Sequence, residues 1–282
     1  MNKYVKQLML IAMCLLFGTG TAFAEKIVIK GSTTVLPIAQ ATLESYMKAN
    51  PGVNISLSGG GSGEGIKALI DKSTDIANSS REIKKEEIEL AKSKGVNPVE
   101  TIVAIDAIVP IVNPKNKIKN LTVDQLSQSY QGKITNWKEV GGEDLQIVVV
   151  SRDSSSGTFE AWGEMVLSKA KVTPRAQMQA SNGAIVQTVS KNKYAIGYIG
   201  LGYINKVIKP LTVNGVQATA KTAIAKEYPV ARHLYMYTNG QPIGETAKFI
   251  KFVLSPAGQK LVAKAGCVPL AGEKEKSKKK SK

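Results

Sequence analysis

The 282-residue sequence has a single histidine, two cysteines and no motif typical of an activated nucleophile or a nucleotide site. A zinc site draws on several His or Cys ligands, and His233 is the only histidine in the chain. Neither a G-x-S-x-G nucleophile elbow nor a P-loop is present. These absences predict a protein that is not an enzyme, has no catalytic residues and holds no metal or cofactor.

Aromatic residues are also scarce, at 6 % of the chain, although the formal net charge is +16. The basic residues are scattered through the body of the sequence, and no nucleic-acid-binding motif accompanies them. A field of this sign attracts anions. Small oxyanions fit it at least as well as nucleic acid does, and we predict no nucleic-acid partner.

Long apolar runs are missing apart from Leu8–Phe17 near the amino terminus. That run follows two lysines, is too short to span a bilayer and precedes the small-x-small site Ala22-Phe23-Ala24. The pattern predicts a cleaved signal peptide over residues 1–24 and export of the rest. Only Cys267 then remains, which excludes an intramolecular disulfide. Residues 273–282 hold six lysines and two glutamates and are predicted to be a disordered, solvated tail.

Four times along the chain, a β-like run ends in a turn rich in serine, threonine, asparagine or glycine, and a helical pattern follows. The turns are Gly31–Thr34, Ser58–Gly63, Asn78–Arg81 and Ser151–Thr158. In an α/β sheet such turns lie at the carboxyl ends of strands, where ligands bind. Helix amino ends present unpaired N–H groups and partial positive charge. One such turn is an ordinary helix cap, but four of them, two with an arginine, predict a shared anion site.

The fourth turn and its helix read SRDSSSGTFE over residues 151–160, and the helix is predicted to span Thr158–Lys169. Hydroxyls and backbone N–H groups can replace the hydration shell of a tetrahedral oxyanion, and an arginine adds a charge-assisted contact. Many hydrogen bonds are needed at once because an anion is costly to desolvate. The segment is therefore better suited to holding an anion than to attacking a substrate, and a secreted phosphatase is the weaker alternative.

Two long β-like passages, Glu100–Asn113 and Tyr228–Thr238, are predicted to be crossover strands between two lobes. The predicted fold class is α/β. Lobe one is expected to consist of residues 25–106 and 230–272, and lobe two of residues 107–229.

Several motifs resemble those of the phosphate-binding proteins of bacterial phosphate ABC transporters, over about Lys26 to Leu270. They are Gly31-Ser-Thr-Thr-Val35, the glycine-rich turn around Ser62, Asp75-Ile-Ala-Asn-Ser-Ser-Arg81, Ser151-Arg-Asp-Ser-Ser-Ser-Gly-Thr158, Tyr130-Gln-Gly-Lys-Ile-Thr-Asn-Trp137 and Ala195-Ile-Gly-Tyr198. The resemblance implies a type II periplasmic-binding-protein fold. In that fold each of two lobes is a mixed sheet flanked by helices, and the ligand lies in the interlobe cleft.

The resemblance also implies the function. It indicates a monomeric periplasmic protein that binds inorganic phosphate and delivers it to the permease subunits of an ABC transporter for import. Carried over by motif, the phosphate-binding residues are Ser32, Thr33, Ser62, Ser80, Arg81, Arg152, Ser156, Gly157 and Thr158.

One position departs from the family pattern. Ser80 stands where the best-known members have an aspartate that accepts the proton of bound phosphate. Either another carboxylate takes that role, with Asp153 and Glu160 as candidates, or selectivity is weaker. Receptors for sulfate, molybdate, tungstate or a phosphonate therefore remain alternatives.

Overall fold

A computed structural model describes residues 25–270. The predicted signal peptide and the lysine-rich tail lie outside the described residues. In chain order the main elements are β1 Glu25–Gly31, α1 Leu36–Ala49, β2 Val53–Gly59, α2 Ser62–Ile70, β3 Ile76–Ser79, α3 Lys85–Ser93, β4 Pro98–Val112, β5 Asn120–Leu121, α4 Val123–Gln131, β6 Val148–Arg152, α5 Gly157–Met165, β7 Gln177–Gln179, α6 Asn182–Lys191, β8 Ala195–Gly200, β9 Lys209–Pro210, β10 Thr212–Val213, α7 Ala220–Ile224, β11 Ala231–Asn239, α8 Gly244–Leu254 and α9 Pro256–Lys264. Within this range no helix is both long and apolar enough to cross a membrane.

Strand β4 connects two halves of one sheet, whose strand order is β2-β1-β3-β11-β4-β8-β6-β7, with β9 also beside β4. The first part of β4 pairs antiparallel with β11 as far as Ala107, and its second part pairs with β8 from Ile108 onward. We call the β2-β1-β3-β11 half lobe one and the β8-β6-β7 half lobe two. The exact lobe limits given above stay a prediction.

Each half of the sheet has its own apolar core. In lobe one, Ile27 and Ile29 of β1 pack with Ile38 of α1. In lobe two, Trp162 and Tyr198 are fully buried and stack with ring centroids 4.5 Å apart. Burial of side chains this large stabilises a fold by about 1.5–3 kcal/mol each.

Several element limits differ from those predicted. The helix predicted over Thr158–Lys169 ends at Met165, because Ser168 and Lys169 adopt left-handed backbone with φ of 48° and 68°. The crossover strands are Pro98–Val112 and Ala231–Asn239. The second begins at Ala231, later than predicted, because residues 228–230 form a bend and a turn.

Candidate functional site

The three turns of lobe one lie side by side because their strands are parallel. Strand β1 pairs with both neighbours, so that Gly31 is opposite Gly59 of β2 and Asn78 of β3. The turns that follow these three residues therefore leave the same edge of the sheet. This places Ser32, Thr33, Ser62 and Ser80 together at that edge, and all four are buried.

The fourth turn reaches this edge from lobe two. The carbonyl oxygen of Ser155 accepts a hydrogen bond from the Gly63 N–H at 2.9 Å. A Cβ atom at Gly61 would lie 2.6 Å from the same oxygen, so the glycine-rich turn is needed for this approach. At Gly157 a Cβ atom would lie 2.3 Å from Ser62 Oγ and 2.9 Å from Ser80 Oγ. The two lobes are thus in close contact at the predicted site.

Helix α5 directs its amino end into this contact. Ser156 is its N-cap and accepts a hydrogen bond from the Phe159 N–H at 3.2 Å. Gly157 and Thr158 form the first turn of the helix, and both are buried. The unpaired N–H groups and the partial positive charge of the helix end therefore face the cleft.

The hydroxyl groups at the site are fixed by a buried amide that the sequence analysis missed. Asn182, at the start of α6, donates from Nδ2 to the hydroxyl oxygens of Thr33 and Thr34, each at 3.1 Å. The Gly200 N–H donates to Asn182 Oδ1 at 3.0 Å, which fixes the orientation of the amide. Thr34 Oγ1 also lies 2.8 Å from Thr158 Oγ1. Asn182 follows the cap residue Ser181, an ordinary pattern that gave no functional signal.

A buried ion pair supports the same turn from behind. Arg232 of β11 donates to the Gly157 carbonyl at 3.1 Å and to Thr158 Oγ1 at 2.8 Å. Its Nη2 lies 3.1 Å from Oδ2 of Asp106, which is fully buried in β4. Burial raises the pKa of Asp106, and the charge of Arg232 opposes part of that rise. The sequence analysis did not predict this pair. The signal that could have indicated it is Asp106, a carboxylate within the apolar run of β4.

The two predicted arginines differ in their surroundings. Arg152 is 1 % exposed and donates to the carbonyl oxygens of Gln179 and Ala180, each at 2.9 Å. Burial lowers the pKa of Arg152, and the charge of nearby Asp153 opposes that effect. These contacts fix the plane of the Arg152 guanidinium within lobe two.

The guanidinium of Arg81 is held by carboxylates. Two of its nitrogens donate to Glu87 at 2.8 and 2.7 Å, and its Nε lies 3.0 Å from Glu160 Oε2 of lobe two, as an ion pair without hydrogen-bond alignment. Burial acts to lower the pKa of Arg81, but the two carboxylates outweigh it and raise the pKa. The Arg81 guanidinium is therefore engaged by one carboxylate of lobe one and one of lobe two.

The two candidate acceptors also differ. Glu160 Oε2 is engaged by Arg81 and also lies 2.7 Å from Lys84 Nζ. Asp153 accepts from the N–H and the hydroxyl of Ser155 through Oδ1. Its Oδ2 is buried and has no hydrogen-bond partner in the described part of the chain. No group of three or more His, Cys, Asp or Glu residues in that part could hold a metal ion.

Comparison with known proteins identifies the family. A family model described as a PBP superfamily domain matches residues 18–257. The phosphate-binding protein PstS of Borreliella burgdorferi is 36 % identical over 279 residues, which cover 94 % of this chain and 98 % of that protein. The phosphate-binding protein PstS of Bacillus subtilis is 31 % identical, and the match covers 87 % of this chain and 81 % of that protein.

Solved structures agree in fold. A Clostridium perfringens substrate-binding protein with bound phosphate has a TM-score of 0.82 and 38 % identity, covering 87 % of this chain and 99 % of that one. An ABC-type phosphate transport receptor from Vibrio cholerae has a TM-score of 0.70 and 31 % identity, with coverage of 86 % and 99 %. The predicted two-lobed type II fold is confirmed. The chain belongs to the PBP superfamily and, within it, to the family of PstS phosphate-binding proteins.

Proposed function

We propose that this protein is an extracytoplasmic receptor that binds inorganic phosphate between its lobes and delivers it to an ABC transporter. One observation carries the proposal. The amino end of α5 in lobe two meets the buried hydroxyls of Ser62 and Ser80 in lobe one, with Gly157 in contact with both. Such a convergence of N–H and O–H donors matches a tetrahedral oxyanion.

The hydroxyl network favours donation to the ligand. Because Asn182 donates to Thr33 Oγ1, the hydroxyl proton of Thr33 is not used in that contact. The hydroxyls of Thr34 and Thr158 share one hydrogen bond at 2.8 Å. The Thr34 oxygen also accepts from Asn182, and the Thr158 oxygen also accepts from Arg232. One of their two hydroxyl protons is therefore left for the anion.

Positive charge comes chiefly from Arg152, which is 1 % exposed, whereas Asp106 balances the charge of Arg232 in a buried ion pair. A buried charge acts on an anion with little screening by solvent. Arg152 makes its two carbonyl contacts in lobe two, so its guanidinium is oriented before the lobes close. Preorganised donors of this kind reduce the entropy lost when the anion binds.

Selectivity depends on an acceptor for the phosphate proton. Glu160 is engaged by two cations. Asp153 is the stronger candidate, because its Oδ2 accepts no hydrogen bond from the described residues and has only an ion pair at 3.7 Å to Arg152 Nη2. A carboxylate that faces the ligand favours a protonated oxyanion over sulfate, which has no proton to donate.

The remaining features of the proposal follow from the resemblance and from the relatives. The relatives are named as binding and transport proteins, and we propose the same for this chain, without enzymatic activity. The proposed state is a monomer in the periplasm, released by cleavage after Ala24, and the proposed partners are the permease subunits of the transporter.

Calorimetric titration of the ligand-stripped protein with phosphate and with sulfate tests this proposal. We expect saturable binding of one phosphate per chain and a much weaker response to sulfate. In Asp153→Asn the difference in affinity between phosphate and sulfate should be smaller than in the wild type. Equal binding of both anions by the wild type would indicate a general oxyanion receptor, and no heat from either would contradict the proposal.

A further inference from the structure

Four charged side chains join the two lobes at one end of the cleft. These residues, Arg81, Lys84, Glu87 and Glu160, are called the interlobe ion cluster here. Arg81, Lys84 and Glu87 belong to lobe one, and Glu160 belongs to α5 of lobe two. The contacts across the cleft are Arg81 Nε to Glu160 Oε2 at 3.0 Å and Lys84 Nζ to the same oxygen at 2.7 Å.

The interlobe ion cluster lies directly beside the anion site. Arg81 follows Ser80 in the chain, and Glu160 is two residues after Thr158 in the first turn of α5. A cavity of about 600 Å³ and another of about 380 Å³ are both lined by Lys84 and Glu160. The second is also lined by Ser80 and Arg232. Next to these open spaces, the ion pairs supply direct contact between the lobes.

The charges of the interlobe ion cluster balance, with two cations and two carboxylates. Arg81 therefore offers little net positive charge to a ligand. Without its partners, Glu160 would place a negative charge at the same helix end that faces the anion, and it would repel that anion. Pairing with Arg81 and Lys84 removes this repulsion, but only when the lobes are close enough for the contacts to form.

The geometry makes these contacts stronger than ordinary surface ion pairs. The side chains of Arg81 and Glu160 are 9 % and 17 % exposed, so solvent screens them poorly. Glu87 binds two nitrogens of Arg81 and orients the guanidinium within lobe one. Arg81 thus needs little reordering to meet Glu160 when the cleft closes.

We propose that Arg81 and Glu160 form an interlobe latch, which slows reopening of the closed receptor without contacting the anion. This inference rests on the proposed function, since it assigns Arg81 to closure of the site and not to binding of its ligand. A contact made only in the closed form stabilises that form and everything trapped within it. The latch therefore acts on the rate of phosphate release.

The test measures phosphate association and dissociation rates by stopped flow in wild type, Glu160→Gln, Glu160→Asp and Glu164→Gln. Glu164 lies one turn further along α5, lines both cavities and has no ion pair within residues 25–270. We expect Glu160→Gln to release phosphate about tenfold faster, with a nearly unchanged association rate. Glu160→Asp keeps the charge but withdraws the carboxylate, and it should also release faster. Glu164→Gln should behave like the wild type.

The variants separate a latch from a general effect of charge. Equal acceleration in Glu160→Gln and Glu164→Gln, or wild-type release rates in both Glu160 variants, would overturn the latch. The first result would show that only the local charge matters, and the second that the contact has no effect on reopening.

A second readout does not depend on phosphate. Dyes attached through Lys48→Cys in lobe one and Lys133→Cys in lobe two report the distance between exposed positions, while Cys267 is buried. In the ligand-free protein, Glu160→Gln should have a smaller closed fraction than the wild type. An unchanged distance distribution would overturn the latch. If the wild type fails to bind phosphate but Glu160→Gln still has the smaller closed fraction, only the proposed function is overturned.

Discussion

Gly157 and Ser62 approach so closely across the cleft that a Cβ atom at position 157 would lie 2.3 Å from the Ser62 hydroxyl oxygen. Gly157→Ala should therefore keep the lobes from closing and weaken phosphate binding by about 100-fold or more, since a few kcal/mol of closed-state contact is lost. Titration calorimetry measures this effect. Gly163→Ala is the matched control, because a Cβ atom there meets no atom within 4 Å in the same helix. Wild-type affinity in Gly157→Ala would contradict the closed geometry.

Arg152 should be required for binding. Arg152→Lys retains the charge but loses the planar group that donates to Gln179 and Ala180 at 2.9 Å. We expect phosphate affinity to fall by roughly 10- to 100-fold. The melting temperature should stay close to that of the wild type. Arg175→Ala, at an exposed position of the same lobe, should leave affinity unchanged. Wild-type affinity in Arg152→Lys, or an equal loss in Arg175→Ala, would contradict a specific role for the planar group of Arg152.

The buried pair of Asp106 and Arg232, which supports the turn at Gly157, should also contribute to the free energy of unfolding. Asp106→Asn leaves the Arg232 charge without its carboxylate partner in a buried position. We expect the free energy of unfolding to fall by about 3 kcal/mol, the cost typical of a broken buried pair. Urea denaturation measures the change. Asp144→Asn, at an exposed surface ion pair, is the control and should cost less than about 1 kcal/mol.

The contribution of Glu87 should depend on pH. Burial acts to raise the pKa of Glu87, but the hydrogen bonds and charge of Arg81 outweigh it and lower the pKa. A carboxyl whose folded pKa is depressed adds stability above its unfolded pKa, and this stability is lost as pH falls through the folded pKa. Glu87→Gln should therefore be less stable than wild type by about 1 kcal/mol at pH 7. That gap should shrink between roughly pH 5 and pH 3.

Urea unfolding at several pH values measures that gap. Glu86→Gln, an exposed neighbour on the same helix, should change stability little at any pH. A gap for Glu87→Gln that stays constant down to pH 3 would show that the ionised carboxylate is not the source of the stability.

The turns of the site could be predicted because their signal is local. Each combines a β-like run with a cap residue and glycine, and parallel strands bring such turns to one edge of a sheet. The partners of these turns could not be predicted in the same way. Arg232 is 126 residues from Asp106, and Arg81 is far from Glu160 in the chain. The first pair depends on the register of β11 against β4 and the second on how the two lobes meet, and no local pattern specifies either.

Asn182 and Thr34 were missed for a related reason. Both sit in ordinary turn sequences, and their roles arise from a contact between lobes. The end of α5 was also missed, because left-handed backbone at Ser168 and Lys169 occurs at residues with no strong preference for it. Sequence patterns thus predicted which segments face the cleft but not how side chains pair across it.

The position of β11 in the sheet has a consequence for synthesis of the chain. Among the strands of residues 25–270 this strand is the last to be made, yet it lies between β3 and β4 in the sheet. When the ribosome has finished lobe two, the sheet is therefore still open between β3 and β4, and the facing edges of these two strands are unpaired. Lobe two can assemble from one continuous stretch, whereas lobe one must wait for residues 231–239. Until that strand is made, the open edges of β3 and β4 are available for pairing with other chains.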